Sequence, residues 1–411
     1  MVARIPLITQ GAVIAEPRPP AELPDQLVQL QVTAVANGGA CVARLDGRVV
    51  FVRHSLPGES VLARITGSGG GGRFWFADAV EILQPAAKRV TPPCRFAGPG
   101  GCGGCDYQHV ELSEQLRWKS LIVAEQLERL GGVTMDVPIS SLPGAEDGLG
   151  WRTRVRYAVD DGGHAGLRQY RSDAIVPLDR CLIAVPQIQA AVSEGEPLLA
   201  SNWQGSKALA VVSAAGGVQV LPEPGPRPAE VTERAVGRDW AVAGDGFWQV
   251  HPAAADALCE QVLTACEDAE VLWDLYCGVG LFAGALSQQR ARSIVAVEGD
   301  RRAAALARRN LSDFSKVRVV RRDVRAWVTS ASGPKPDTVV LDPPRKGAGA
   351  AVLQPLLTTA VRRLVYIACE PSALGRDTGL LREQGWTLSE VSALDLFPMT
   401  HHVETIAVFD R

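Results

Sequence analysis

From residue 271 to the C-terminus, short apolar runs alternate with helix-length segments, and that alternation leaves the second half of the chain few folds to choose from. Strands are expected at 271–276, 293–298, 317–322, 338–342, 363–368, 387–396 and 403–409, with helices between the first six. Parallel strands joined by crossover helices build an open, doubly wound sheet, and such sheets bind ligands at the carboxyl ends of their strands. The last two runs have no helix between them and read as a C-terminal hairpin. The fold class expected is therefore α/β with a Rossmann-like domain.

The first half has a different rhythm. Residues 1–25 hold five prolines and little periodicity, and read as an extended arm. Between 26 and 85 come five strand-like runs, QLVQLQVTAV, ACVARL, GRVVFVRHSL, SVLARIT and FWFADAVEIL, separated by glycine-rich turns. Five short strands so punctuated predict a small, OB-like β-barrel. Arg44, Arg48, Arg53, Arg64 and Arg73, with Phe74 and Trp75, would give such a barrel both charge and stacking surface for an oligonucleotide. Residues 86–245 read as a mixed central domain with a helix at 111–130, strands in WRTRVRYAV and ALAVVSAAGGVQVL, and a proline-rich loop at 221–229; the Rossmann-like domain takes 246–411.

The 411 residues contain no apolar stretch of membrane-spanning length, and the N-terminus is broken by Pro6, Gln10 and Gly11, so a secretory signal is disfavoured and the cytoplasm is expected. A net charge of −3 argues against a protein that coats nucleic acid without selectivity, although it leaves room for a local basic groove. Nine cysteines in a reducing compartment do not form a disulfide framework.

Chemistry concentrates at the strand ends. The first run leads into DLYCGVGLF at 274–282, where Gly278 and Gly280 let a ligand approach the backbone. Glu298 follows some twenty residues on, placed to accept hydrogen bonds from a ribose. A nicotinamide fingerprint would carry a third glycine here, and Asp274 would sit poorly beside a pyrophosphate. A cofactor with a cationic amino-acid end fits better; S-adenosylmethionine has one, and Asp323 could then bind its adenine amino group. The fourth strand ends in LDPPR at 341–345, a rigid loop at the substrate edge. The fifth ends at Cys369, where a helix start would stabilise a thiolate. Methyl transfer to carbon 5 of a pyrimidine needs a nucleophile that first adds at carbon 6, and afterwards a base that removes the carbon-5 proton.

With GFWQVH at 246–251, DLYCGVGLF at 274–282, LDPPRKG at 341–347, CEPSALGRD at 369–377 and HVET at 402–405, the chain closely resembles the RNA uracil-5-methyltransferase family, and its N-terminal segment resembles the TRAM barrel. The resemblance implies a class I methyltransferase domain using S-adenosylmethionine, Cys369 as nucleophile, Glu404 as proton acceptor and Asp342 at the uracil ring and cofactor. It also implies Gln249, Tyr276, Glu298 and Asp323 at or near the cofactor, with Asp274, Gly278 and Gly280 in the turn that holds it. Two positions depart from the family pattern: Glu370 and His251 stand where asparagine is usual. Glu370 beside the thiol is expected to raise its pKa unless Arg345 or Arg376 compensates.

Cys94, Cys102 and Cys105, with Cys181 downstream, can be read as four thiolate ligands, and spacing alone does not separate zinc from iron–sulfur. The resemblance favours a [4Fe-4S] cluster, zinc being the alternative. It also favours ribosomal RNA of the large subunit as partner, with transfer RNA second; a monomer is expected. Two other readings are a non-catalytic RNA-binding factor on the same architecture and methylation of an RNA amino group.

Overall fold

Strict alternation of apolar and polar residues builds the first strand. In β1 (Val28–Val35) Leu30, Val32 and Ala34 are buried while Gln29, Gln31 and Thr33 face out, the period-two pattern of a sheet wet on one side. β1 joins β2 (Cys41–Leu45), β3 (Arg48–Arg53), β4 (Ser60–Gly69) and β5 (Phe74–Gln84) in a closed barrel of order β1-β2-β3-β5-β4. The computed structural model describes residues 27–193, 203–225, 229–289, 292–330 and 334–411. The expected arm at 1–25 lies outside them, as does part of the proline-rich loop.

The chain divides into two compact units: one holds the barrel, continues to Trp118, and includes Leu167–Val176 and Pro398–His401; the other holds Lys119–Gly166, Pro177–Phe397 and His402–Arg411. Between barrel and Rossmann-like sheet come α1 (Leu112–Gly131), β6 (Ile139–Ser141), β7 (Arg154–Val159), β8 (Ala165–Arg168), β9 (Ile175–Pro177), α2 (Pro186–Ser193), β10 (Ala208–Ala214), β11 (Gly217–Glu223), β12 (Glu230–Ala235), β13 (Arg238–Ala243) and α3 (Ala254–Ala265). β7, β10 and β11 pair antiparallel, and β12 and β13 form a hairpin.

All seven strands expected after residue 271 are present: β14 (Val271–Leu275), β15 (Ser293–Glu298), β16 (Val317–Arg321), β17 (Thr338–Leu341), β18 (Arg363–Ala368), β19 (Thr387–Asp395) and β20 (Glu404–Asp410). The helices between them are α4 (Leu281–Gln289), α5 (Arg301–Asn310), α6 (Val324–Ser330), α7 (Ala350–Leu357) and α8 (Pro371–Arg382). The sheet runs β16-β15-β14-β17-β18-β20-β19-β6, so β6 adds an eighth strand that sequence periodicity does not show. Two apolar layers cover its faces, one around Ile294, Ala296, Leu306 and Val340, the other around Val295, Val297, Val324 and Val339. β15 and β17 both pair with β14 in parallel, and the strand sequence β14-β15-β16 runs outward on one side while β17-β18 runs outward on the other, which puts the topological switch point, and hence the ligand crevice, at the carboxyl ends of β14 and β17.

Candidate active site

The register of the central strands brings the first motif residues to one edge. Leu275 pairs with Val297 on one side and Leu341 on the other, so Asp274, Glu298 and Asp342 all lie where the three strands end. Between β14 and α4 the backbone is forced into a tight turn, with Tyr276 at φ +64°, Gly278 at +56° and Gly280 at +95°. A Cβ on Gly280 would come within 2.7 Å of the Leu311 side chain, which requires glycine there independently of the dihedral. Glu298 braces the turn by accepting the Gly278 N–H at 2.9 Å and the Asp300 N–H at 2.7 Å.

Asp274 is 1% exposed and accepts the Ala283 N–H at 2.9 Å. Burial, with Asp342 and Glu298 adding repulsion, lifts its pKa to about 7. A buried carboxylate without a cation beside a glycine turn suits the positively charged amino-acid end of S-adenosylmethionine, so the donor set fits this cofactor. Gln249 is buried in the loop between β13 and α3, two residues after Phe247, which is 72% exposed. Asp323 caps α6, accepting the Ala326 N–H at 2.9 Å.

The reactive side is built by an antiparallel pair. Ala368 of β18 pairs with Thr405 of β20, so the next positions, Cys369 and Glu404, lie opposite one another at the strand ends. Glu404 is buried, and burial together with Asp342 drives its pKa well above the carboxylate range. Burial likewise raises Asp342. The half-buried Cys369 thiol is pushed up to about 12, first by burial and then by Glu404 and Asp342, while Arg345 opposes them.

Glu370 departs from its expected role. Its carboxylate caps α8, accepting from the Ser372 hydroxyl at 2.9 Å and the Ser372 N–H at 3.4 Å. The acids that raise the thiol are Glu404 and Asp342, and of the two proposed counter-charges Arg345 is the one that acts.

Sequence reasoning missed the clasp that ties the two halves of this edge together. Asp377, two turns into α8, accepts the Tyr366 hydroxyl at 2.6 Å and the Ala348 N–H at 2.8 Å, fixing the loop that follows Asp342 to the helix that follows Cys369. The signal was present, since Gly347 and Asp377 each end a quoted motif; a Cβ on Gly347 would lie 2.7 Å from Asp377 Oδ2. Lys119 and Asp395, paired at 2.6 Å and almost without exposure, were also missed; they pin the end of β19 beside the partner position of Glu404.

On the barrel, Trp75 is corrected from stacking surface to core: it is 6% exposed, with the Arg48 guanidinium 4.3 Å from its ring centre. Arg53 is buried as well. The half-exposed aromatic group is Phe51, Phe74 and Phe76, with centroids 5.5–6.0 Å apart.

None of the four thiols read as ligands is in a disulfide, and the Gly104 N–H points at Cys102 Sγ from 3.4 Å, so the donor chemistry suits thiolate ligation. Cys94, Cys102 and Cys105 belong to the barrel unit and Cys181 to the other, and among the described residues no group of three or more His, Cys, Asp or Glu side chains is disposed to hold a metal ion. No described helix is long and apolar enough to cross a membrane.

A parallel sheet with a reversed β20, acids at its switch point and a glycine turn after β14 define a class I methyltransferase domain, which follows a TRAM barrel in the sequence. Family models described as tRNA (Uracil-5-)-methyltransferase, methyltransferase small domain and TRAM domain match residues 332–411, 251–366 and 26–69. An RNA methyltransferase of Streptomyces avermitilis, itself described as uncharacterized, is 40% identical over 93% of this chain and 98% of its own length. The 23S rRNA (uracil(1939)-C(5))-methyltransferase RlmD of Pseudomonas putida is 33% identical, with 93% of each chain covered. The Pyrococcus abyssi tRNA (uracil-54, C5)-methyltransferase, solved with S-adenosyl-L-homocysteine, shares the fold at a TM-score of 0.69 and 20% identity, over 92% of this chain and 100% of that one. The chain belongs to the RNA uracil-5-methyltransferase family, and it is an S-adenosylmethionine-dependent enzyme.

Proposed function

We propose that the protein forms 5-methyluridine in RNA, with large-subunit ribosomal RNA as the first target and transfer RNA the second. The observation that carries this reading is the β18–β20 register, which sets a thiol opposite a buried carboxylate beside Asp342. Cys369 adds to carbon 6 of the uracil, and the electron pair of the double bond passes to carbon 5 and its adjacent carbonyl as an enolate. S-adenosylmethionine, when bound, supplies the electrophilic methyl group that carbon 5 takes up. Glu404 then removes the carbon-5 proton, and the returning electron pair expels the Cys369 thiolate. Because burial raises its pKa, Glu404 is a stronger base than a solvated carboxylate. Asp342 contacts the uracil ring and borders the cofactor; Asp274, Tyr276, Gly278, Gly280, Glu298, Asp323 and Gln249 hold that cofactor.

The target base leaves its stack, since a ring stacked among neighbours cannot meet the thiol and the methyl donor together. The binding-factor alternative drew its support from Glu370, whose carboxylate turns to Ser372 instead. Cys94, Cys102, Cys105 and Cys181 are proposed ligands of a [4Fe-4S] cluster, with zinc as the alternative, on the chemistry of the donors alone; iron and acid-labile sulfide in the purified protein support the first, and stoichiometric zinc without iron overturns it. The function is tested by mapping methylated RNA fragments by mass from cells with and without the protein. Loss of one 5-methyluridine is expected; an unchanged map, or a methyl group lost from an amino nitrogen, overturns the reading.

A further inference from the structure

Charge is unevenly spread along the chain. Residues 301–325 carry eight arginines and one lysine against two aspartates, in a protein whose net charge is −3. They span α5, the edge strand β16 and the start of α6. Two of the arginines are neutralised, Arg302 by Asp245 at 2.6 Å and Arg309 by Glu230 at 2.5 Å, and Arg318 lies over the Trp327 ring. Arg301, Arg308, Arg321, Arg322 and Arg325 are exposed and have no carboxylate partner among the described residues.

Four of these five gather at the carboxyl edge of the sheet. The Arg322 N–H donates to the Glu298 carbonyl at 2.9 Å, and Gly299 backs onto Asp323, so the ends of β15 and β16 bring Arg301, Arg321, Arg322 and Arg325 to one border. Like charges so close together repel one another. Arg301 stands in the first turn of α5, where the helix dipole disfavours a cation, and the Asp300 carboxylate at the N-cap is committed to the Arg302 and Ala303 N–H groups. Protection of an exposed sheet edge would explain charges within β16, yet only Arg318 and Arg321 lie in that strand.

We propose that this stripe along α5 and β16 is a second RNA-contact surface, which takes the sugar–phosphate backbone of the substrate outside the target nucleotide. Guanidinium groups that cost stability when empty are repaid when phosphates displace their counterions. The inference rests on the RNA-methylating reading, but its measurement is binding and does not require turnover.

The test uses the full chain, in vitro transcribed unmethylated 23S ribosomal RNA, and the triple variant Arg301→Gln/Arg321→Gln/Arg325→Gln. RNA affinity is expected to weaken about tenfold near 0.1 M salt, and the log–log salt slope to become shallower by roughly 2, at about 0.7–0.9 per phosphate contact. S-adenosylmethionine affinity and kcat at saturating RNA should stay within about twofold, and the triple Arg→Lys variant should recover most of the slope. An unchanged slope and affinity overturns the proposal. So does a variant that self-associates while its soluble fraction binds RNA normally, which would make the stripe edge protection only. Wild-type protein that binds this RNA with the expected slope yet transfers no methyl would instead sink the methylation reading and leave the surface standing.

Discussion

Two regions of the molecule bury acids, and they treat them in opposite ways. In the barrel unit the Glu59 side chain has no exposure, and Arg89 pairs with both its oxygens at 2.6 and 2.8 Å while the Leu56 and Ala86 N–H groups donate at 2.7 and 3.1 Å. Burial alone would raise its pKa, but these partners hold it below the usual carboxylate range. At the sheet edge Asp274 and Glu404 are as deeply buried, Asp342 is partly buried and repels both, and all three are raised. A carboxylate that serves structure is fully satisfied; carboxylates left wanting protons or cations mark where a charged ligand and a proton transfer are to be accommodated.

The contrast can be broken in four places. Replacing Cys369 by alanine should lower methyl incorporation from labelled cofactor below about 10⁻³ of wild type, and unchanged incorporation would end the covalent mechanism. Glu404→Gln should cost roughly 10²–10⁴ in turnover and leave a methylated RNA joined to Cys369, seen as a slow band on denaturing gels. Its barrel counterpart Glu59→Gln should do the reverse, losing about 3 kcal/mol of stability through the uncompensated Arg89 while turnover per folded molecule is kept.

The pH dependence of unfolding should separate the two classes by sign. Asp274 is raised to about 7 in the fold, so the wild type loses stability relative to Asp274→Asn as pH climbs from about 4 to 7, and no further above that. Glu59 is depressed, so its advantage over Glu59→Gln is present above the unfolded pKa and fades as pH falls through the folded one. Differences that do not move with pH would erase the distinction. The smallest expected effect is on salt: with an acidic balance outside the arginine stripe, the log–log slope for RNA should be shallower than about −6.

Much of the fold was legible because its signals are local. Glycine turns mark the barrel strands, and alternation with helices marks the Rossmann-like sheet. The β12–β13 hairpin was hidden because its turn places Val236, a β-branched residue, at φ +49°, where no turn rule expects it; the Asp256 carboxylate holds its N–H there at 2.5 Å. α3 lacks a start signal, its N-cap Ala253 making no side-chain capping bond. β6 is three residues long and pairs with β19 from far along the chain. At the site, residue types at strand ends were readable, whereas the turning of Glu370 toward Ser372 and the Asp377 clasp depend on rotamers and a long-range register that composition does not encode.

The packing of α8 carries one more consequence. A Cβ on Gly375 would stand 2.4 Å from the Gln126 carbonyl of α1, and one on Gly379 would stand 2.8 Å from that of Leu130, so the two backbones touch at points one helical turn apart. With Asp377 locking the other side, the platform beneath Cys369 has no room to swivel. Accommodation of different uridines then falls to the nucleic acid: the enzyme offers a stationary anvil, and selectivity among candidate sites is decided by which RNA strand deforms far enough to lay its base on it.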